Sequence, residues 1–323
     1  MATLSLPELH NVRVEGAFSR AGLRPSDALV MSYPKCGTNW LTSIILLLRN
    51  NGEHFRQRQA RLKGTDCESA LRSSRETCGT DMRHAASSIV GILPCCSSRR
   101  PAKGGGKGKK GGKKDDIRPS EFAALGPHRT IWSHGRPEEV APDRRQDIPE
   151  GTKVFVIQRN SMDACVSGFY WFHDTYARFS DFQREFIECR RGEPHAIRVF
   201  DSQGPGHIVE WYSNWWAAKE WLGDDLLWLH YEDMQADLGA AVKAIAAHLG
   251  IDASDEVIAK VVAAAQPDAV RSAEGMTGFQ RHLRSGRTGD WKEHFSPEEA
   301  AQFKASKEAR ISEYPSFPAE RET

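Results

Sequence analysis

The chain has no stretch near the roughly 18 consecutive apolar residues that a membrane-crossing helix needs, so no span is expected. It has almost no net charge. Across 323 residues, 44 Lys and Arg stand against 43 Asp and Glu, so overall charge points to no polyanion partner. Cysteine is scarce and unpaired: the seven are scattered apart from Cys95-Cys96, with no CxxC pair and no Cys/His zinc spacing. That argues against a disulfide framework and against a metal site. The opening MATLSLPELHNVRVEG lacks the basic-then-apolar order of a secretory leader, and the expected setting is the cytoplasm. What remains, 39% hydrophobic and 27% charged residues, is ordinary globular composition, enough to bury a substantial core.

Apolar runs alternate with amphipathic stretches. Asp27–Ser32, Arg129–Ser133, Lys153–Gln158 and Leu226–His230 read as buried strands. Thr38–Arg49, Ser161–Phe172, Ile208–Leu222, Ala240–Leu249, Asp255–Ala265 and Pro297–Arg310 read as helices. Strands separated by helices predict an α/β fold, a mainly parallel central sheet flanked by helices. Trp211, Trp215 and Leu222, with Trp216 and Trp221 beside them, form a stripe at helical spacing that reads as core. Residues 51–94 are polar and weakly periodic. Residues 97–116, SSRRPAKGGGKGKKGGKKDD, are almost all Gly, Lys and Arg, and are expected to form a disordered basic insertion. Its run at 99–114 could contact a polyanion.

The stretch YPKCGTNWL, residues 33–41, sits where the first apolar run turns into a helix. A strand, a short loop and a helix N-terminus place free backbone N–H groups against an anion. Lys35 adds a point charge, Gly37 allows close approach and Thr38 carries a hydroxyl. It is not a Walker A loop, in which GxxxxGK[ST] puts the lysine directly after the second glycine. Two further segments have the same character. VFVIQRNSMDACVSGFYWF, residues 154–172, ends a strand at Arg159 and carries Ser167 on the following helix, and RSGRTGDWKEHF, residues 284–295, brings Arg284 and Gly286. Three such elements suggest a ligand with two separated phosphates.

In order and spacing these segments resemble the cytosolic sulfotransferase family. YPKCGTNWL resembles its YPKSGTTWL loop, IQRNSMDACVSGFY its RNxxDxxVSxxxF segment, LLWLHYEDM its strand ending in YEDM, and RSGRTGDWKEHF its RKGxxGDWKxxF motif. The resemblance runs discontinuously from about Asp27 to Phe303 and omits much of residues 51–125. It implies a P-loop nucleotide-binding-like fold, with residues 1–323 forming one sulfotransferase-like domain. The implied activity is transfer of a sulfuryl group from 3′-phosphoadenosine 5′-phosphosulfate (PAPS) to a hydroxyl or amine of a small-molecule acceptor, with 3′,5′-bisphosphoadenosine as product and no metal. By position, Lys35, Cys36, Gly37, Thr38 and Asn39 would hold the 5′ end. Arg159, Ser167, Arg284, Ser285 and Gly286 would hold the 3′-phosphate, and Trp40 and Tyr231 would bracket the adenine. Lys35 would stabilise the leaving phosphate, and His134, in TIWSHGRP, matches the family's catalytic histidine and would be the general base.

The chain also departs from the family. The second lysine, two residues before the histidine, is Trp132, so Arg136 is the expected substitute cation. Cys36 replaces the loop's first hydroxyl residue, and its place beside Lys35 at a helix start predicts a lowered thiol pKa. Ser285 replaces the lysine of RKG, and His282 stands where an aromatic is usual. The dimer signature is reduced to Lys292 and Ser296-Pro297, with Ala301 for its glutamate, which leaves a homodimer open. Phe169, Tyr170, Trp171 and Phe172 are candidates to wall an apolar acceptor pocket. The rival readings are a nucleotide-dependent small-molecule kinase on the same fold, and a catalytically impaired PAPS- or polyanion-binding protein.

Overall fold

The computed structural model describes residues 8–14, 22–53, 56–62, 115–117, 125, 128–171, 178–188, 207–266, 269 and 285–323. Among them are seven strands: β1 (Glu8–Val14), β2 (Ala28–Ser32), β3 (Arg56–Leu62), β4 (Asp115–Ile117), β5 (Thr130–Ser133), β6 (Lys153–Gln158) and β7 (Leu226–His230). They form one sheet in the order β4-β3-β1-β5-β2-β6-β7, with every pairing parallel. The helices are α1 (Thr38–Arg49), α2 (Pro137–Val140), α3 (Ser161–Trp171), α4 (Phe179–Glu188), α5 (Ile208–Ala217), α6 (Lys219–Leu222), α7 (Tyr231–Ala236), α8 (Leu238–His248), α9 (Asp255–Ala265) and α10 (Pro297–Glu313).

The central strands alternate their side chains between two cores, because successive residues of a strand point to opposite faces. Leu29 and Met31 of β2, with Val154 and Val156 of β6, face α3, α4, α5 and α10, where Phe182, Trp211, Trp215 and Phe303 are buried. Ala28 and Val30, with Phe155 and Ile157, face α1, α8 and α9 through Leu41, Ile44, Val242, Ile245 and Val261. A sheet covered on both faces needs apolar residues at every position of its central strands, which is why β2 reads ALVMS and β6 KVFVIQ. The tryptophan stripe is core, as expected: Trp211, Trp215 and Leu222 are fully buried.

The chain leaves β2 toward β3 through α1 on one face, and leaves β6 toward β7 through α3 to α6 on the other. Between the carboxyl ends of these adjacent strands the connections diverge, which opens a crevice in a parallel sheet.

Several expectations need correction. The helix expected over Ile208–Leu222 is two, α5 and α6, separated at Ala218. Asp115 and Asp116, expected in the disordered insertion, belong to β4 at the sheet edge, while residues 97–114 lie outside the described residues. β1 and β3 pair along their whole length, Glu8 with Arg56 through Val14 with Leu62. Their sequences, ELHNVRV and RQRQARL, have no apolar run to announce them. Apart from these corrections, the Ser296-Pro297 pair caps α10: Ser296 Oγ accepts from Glu299 N, and Glu299 returns the bond to Ser296 N.

Just before β2 and β5, a buried ion pair fixes how these strands start together. Arg129 Nε donates to Asp27 Oδ1 at 2.9 Å and Nη2 to Oδ2 at 2.5 Å, and Arg24 N adds a bond to Oδ2 at 2.8 Å. Removing one partner of such a pair strands the other charge in the interior. Arg129→Ala is expected to lose about 3–5 kcal/mol in a denaturant melt, and Asp27→Ala/Arg129→Ala less than the sum of the two single losses.

Candidate active site

The sequence-predicted residues converge on the carboxyl ends of β5, β2, β6 and β7. From β2 the chain turns into α1 through Tyr33–Gly37, with Lys35 at φ 69° and Gly37 at φ 107°. Gly37 is required there on two counts. Its φ suits glycine, and a Cβ would lie 2.8 Å from Ile157 Cδ1 and 2.9 Å from Tyr231 Cδ2. Thr38 Oγ1 is bonded to Ser32 Oγ, and its carbonyl accepts from Thr42 Oγ1. Asn39 and Trp40 are partly buried on the first turn of α1.

Lys35 Nζ lies 4.4 Å from the centre of the Trp171 ring. Burial, and then the nearby Arg159 charge, hold the ammonium down to about 8, with Cys36 acting the other way. Cys36 contradicts its expectation. Its side chain is fully buried in the core, and burial pushes the thiol up to about 12, with the neighbouring Tyr212 hydroxyl acting the other way. Position beside a lysine at a helix start does not activate a thiol that water cannot reach.

Arg159 ties two loops together. Nη1 donates to Lys35 O at 3.1 Å and Nη2 to Arg287 O at 3.2 Å, while the guanidinium covers the Tyr231 ring at 4.4 Å. Its buried Nε has no partner among the described residues. Tyr231 Oη donates to Gly286 O at 2.9 Å, and Gln235 Nε2 donates to the same oxygen. Trp40 and Tyr231 meet edge to face, 5.1 Å between centroids, so they touch each other and leave no base-width slot between them. Ser167 is partly buried on α3, and Ser285 Oγ donates to Asp290 Oδ2 at 3.2 Å. Arg284 and His282 lie outside the described residues.

His134 follows β5. Its Nδ1 is 2.8 Å from Ser32 O, and a carbonyl only accepts, so Nδ1 carries the proton and Nε2 keeps its lone pair. Trp211 Nε1 donates to the His134 carbonyl at 2.8 Å and holds this corner in place. Burial lowers the imidazole to about 4; the bond to Ser32 opposes this, and the Arg13 and Lys35 charges add to it. Arg136 does not serve as the substitute cation. It is 1% exposed, paired with Glu210 and 3.6 Å from Glu138, on the side of α2 and α5. Tyr170 and Trp171 are the exposed large hydrophobics among the described residues, at 42% and 41%, beside Phe169, which packs on Phe179 and Phe182.

Sequence reading gave no role to two residues that shape the site. Asn160 caps α3, its Oδ1 accepting from Met162 N and Asp163 N at 3.0 and 3.3 Å. Asp163, 1% exposed, accepts from Gly289 N at 2.8 Å and Trp291 N at 3.0 Å, and so clamps the loop after Gly286 onto the helix after Arg159. Residues 318–323 brace the same region. Pro318 O accepts from Gln158 Nε2, Glu320 Oε2 from Ser161 N, Ser161 Oγ and Lys307 Nζ, and Thr323 Oγ1 from Trp291 Nε1. The letters N and D of RNSMD are plain in the sequence, but the loop that Asp163 holds lies more than a hundred residues away.

A turn whose glycine packs directly on Ile157 and Tyr231, a buried arginine with an Nε–H that no described residue answers, and an imidazole whose Nε2 keeps its lone pair one strand away meet at the carboxyl edge of the sheet. Among the described residues no group of three His, Cys, Asp or Glu could hold a metal, and no helix is long and apolar enough to cross a membrane. The family model for the sulfotransferase domain matches residues 25–315, and the chain belongs to the sulfotransferase family. It is 24% identical over 314 residues to sulfotransferase 1E1 of Bos taurus, covering 90% of this chain and 83% of that protein. To cytosolic sulfotransferase 1 of Danio rerio it is 24% identical over 297 residues, covering 87% and 81%. In structure it is similar to a mouse sulfotransferase complexed with PAP, at TM-score 0.59 and 19% identity over 90% of this chain and 86% of that one. It is similar also to retinol dehydratase in a complex with retinol and PAP, at TM-score 0.59 and 19% identity over 91% and 83%.

Two substitutions test this geometry. Gly37→Ala adds a Cβ against Ile157 and Tyr231 in left-handed backbone, and is expected to cost about 2–4 kcal/mol in a denaturant melt. Asp163→Ala leaves two backbone N–H groups unanswered. It is expected to cost about 2–4 kcal/mol and to speed hydrogen exchange at Gly289 and Trp291 while the amides of β2 stay protected.

Proposed function

We propose that this sulfotransferase uses PAPS as donor and a hydroxyl or amine of a small molecule as acceptor, with His134 as general base and Lys35 as the cation at the leaving group. When bound, PAPS supplies the sulfuryl group: its bond to the 5′-phosphate oxygen breaks with the electron pair left on phosphate, while the acceptor oxygen or nitrogen bonds to sulfur. His134 Nε2 takes the acceptor's proton. The observation that carries this assignment is the 2.8 Å bond from Nδ1 to Ser32 O, which fixes the tautomer with Nε2 as the acceptor atom. The low imidazole pKa, about 4, keeps that atom unprotonated at neutral pH. Lys35, at about 8, is still largely charged there and can balance negative charge on the leaving oxygen.

The residues fit a bisphosphorylated nucleotide. Lys35, Gly37, Thr38 and Asn39 would hold its 5′ end. Arg159, with its unanswered Nε, would take the 3′-phosphate together with Ser167 and Gly286. Trp40, partly buried, would meet the adenine, with Tyr231 behind it under the Arg159 guanidinium. The PAP held by two structural neighbours supports the same donor. Tyr170 and Trp171 would wall the acceptor. A cytoplasmic setting, a homodimer and polyanion contact through residues 99–114 belong to the same proposal.

The test is transfer of label from radiolabelled PAPS to a panel of phenols, alcohols and amines. His134→Ala is expected to lower kcat by about 10²–10⁴-fold, with calorimetric affinity for 3′,5′-bisphosphoadenosine within about twofold of the parent. The rate should rise through about pH 4 as His134 loses its proton, and fall above about pH 8 as Lys35 loses its charge. Full activity in His134→Ala would refute the assignment of the base.

A further inference from the structure

Sulfuryl transfer concentrates negative charge around the reacting centre, and cations placed there before reaction lower the barrier. Lys35 is one. The position where the family resemblance implies a second lysine holds Trp132, an uncharged indole, and Arg136 is buried against Glu210.

The sheet itself offers a replacement. Arg13 on β1 is in register with Trp132 on β5. Two residues on, His134 leaves the end of β5 with its ring centroid 5.1 Å from that of Trp132. The Arg13 guanidinium carbon lies 5.2 Å from the centre of the indole, the geometry in which a planar cation rests on an aromatic face. Arg13, Trp132 and His134 thus form a row running from β1 across β5 to its carboxyl end. Arg13 is partly buried, and its positive charge acts on the imidazole in the same sense as that of Lys35. Among the described residues His134 also meets Ser32 O, which accepts from Nδ1, and Trp211 Nε1, which donates to its carbonyl.

We propose that Arg13 is the second cation of the transfer site: it is carried on the neighbouring strand and laid on Trp132, so that the pair together replaces the absent lysine. Trp132 is then a platform that sets where the guanidinium sits. Arginine suits this role because it keeps its charge in a partly buried place where a lysine would give it up. Arg13 is a positioning residue, acting through Trp132 and the field at His134. The inference rests on the reading of His134 as the base.

The experiment compares Arg13→Ala, Arg13→Lys and Arg13→Ala/Trp132→Lys with the parent and with His134→Ala. Three quantities are read: kcat with PAPS and the fastest acceptor of the panel, the His134 titration by NMR in the ligand-free protein, and the melting temperature. Arg13→Ala is expected to lower kcat about 10- to 100-fold, to raise the pKa of His134, and to leave calorimetric binding of 3′,5′-bisphosphoadenosine within about twofold. Lysine at position 132 should restore most of kcat to the Arg13→Ala protein, which a merely structural role for Arg13 could not explain. Unchanged kcat and His134 titration in Arg13→Ala, or no rescue by Trp132→Lys in a protein that melts normally, would overturn the proposal. If Arg13→Ala does not fold, Arg13→Lys decides by the same titration: a lysine that gives up its charge there should raise the pKa of His134, and an unchanged titration would oppose the proposal. An inactive His134→Ala beside a fully active Arg13→Ala removes this inference alone, whereas an active His134→Ala removes the reading beneath it.

Discussion

Everything at the carboxyl edge of the sheet is organised around one sharp turn. Between β2 and α1 the backbone passes through left-handed conformations at Lys35 and Gly37, the first of which costs a residue with a Cβ about 1–2 kcal/mol. Each neighbouring strand end is tied to that turn: β5 through His134 to Ser32 O, β6 through Arg159 to Lys35 O, and β7 through Tyr231 packed on Gly37. A wider turn would break all three ties at once. The strain is held because three strands agree on it, which is how backbone outliers persist at functional sites.

The electrostatics follow from where these strand ends meet. Burial at that meeting point, reinforced by the neighbouring Arg159 charge, depresses the Lys35 ammonium. The site gathers the Lys35 and Arg159 charges beside the buried Glu232 carboxylate, and Arg159 Nε is left without a partner among the described residues. The carboxylates nearby do other work. Asp163 and Glu320 accept backbone and side-chain donors that hold the closing loop and the start of α3. Cys36, at the centre of the turn, is simply core.

How much of this could be seen in the sequence depended on burial and on range. β2, β5, β6 and β7 were legible because strands covered on both faces must be apolar throughout, whereas β1 and β3, near the edge, read as polar chain. Lys35, Gly37, His134 and Arg159 were legible because each lies at a strand end in a recognisable local motif. Asp163 was not, since its role is a contact with Gly289 and Trp291, and nothing local announces it. Sequence proximity was misleading for two residues: Arg136 lies close to His134 in the chain but turns toward Glu210, and Cys36 lies beside Lys35 but turns into the core. Arg13 shows the converse, being distant in sequence and brought alongside Trp132 by strand register.

The central claim is that separate strand ends together grip both phosphates of one nucleotide. Calorimetric titration of the folded protein with 3′,5′-bisphosphoadenosine, set beside adenosine 5′-phosphate, tests it most directly. The account predicts one-to-one binding of the bisphosphate, at least about tenfold tighter than the monophosphate, a difference of about 1.4 kcal/mol. Equal affinity for the two, or no binding of either, would contradict it.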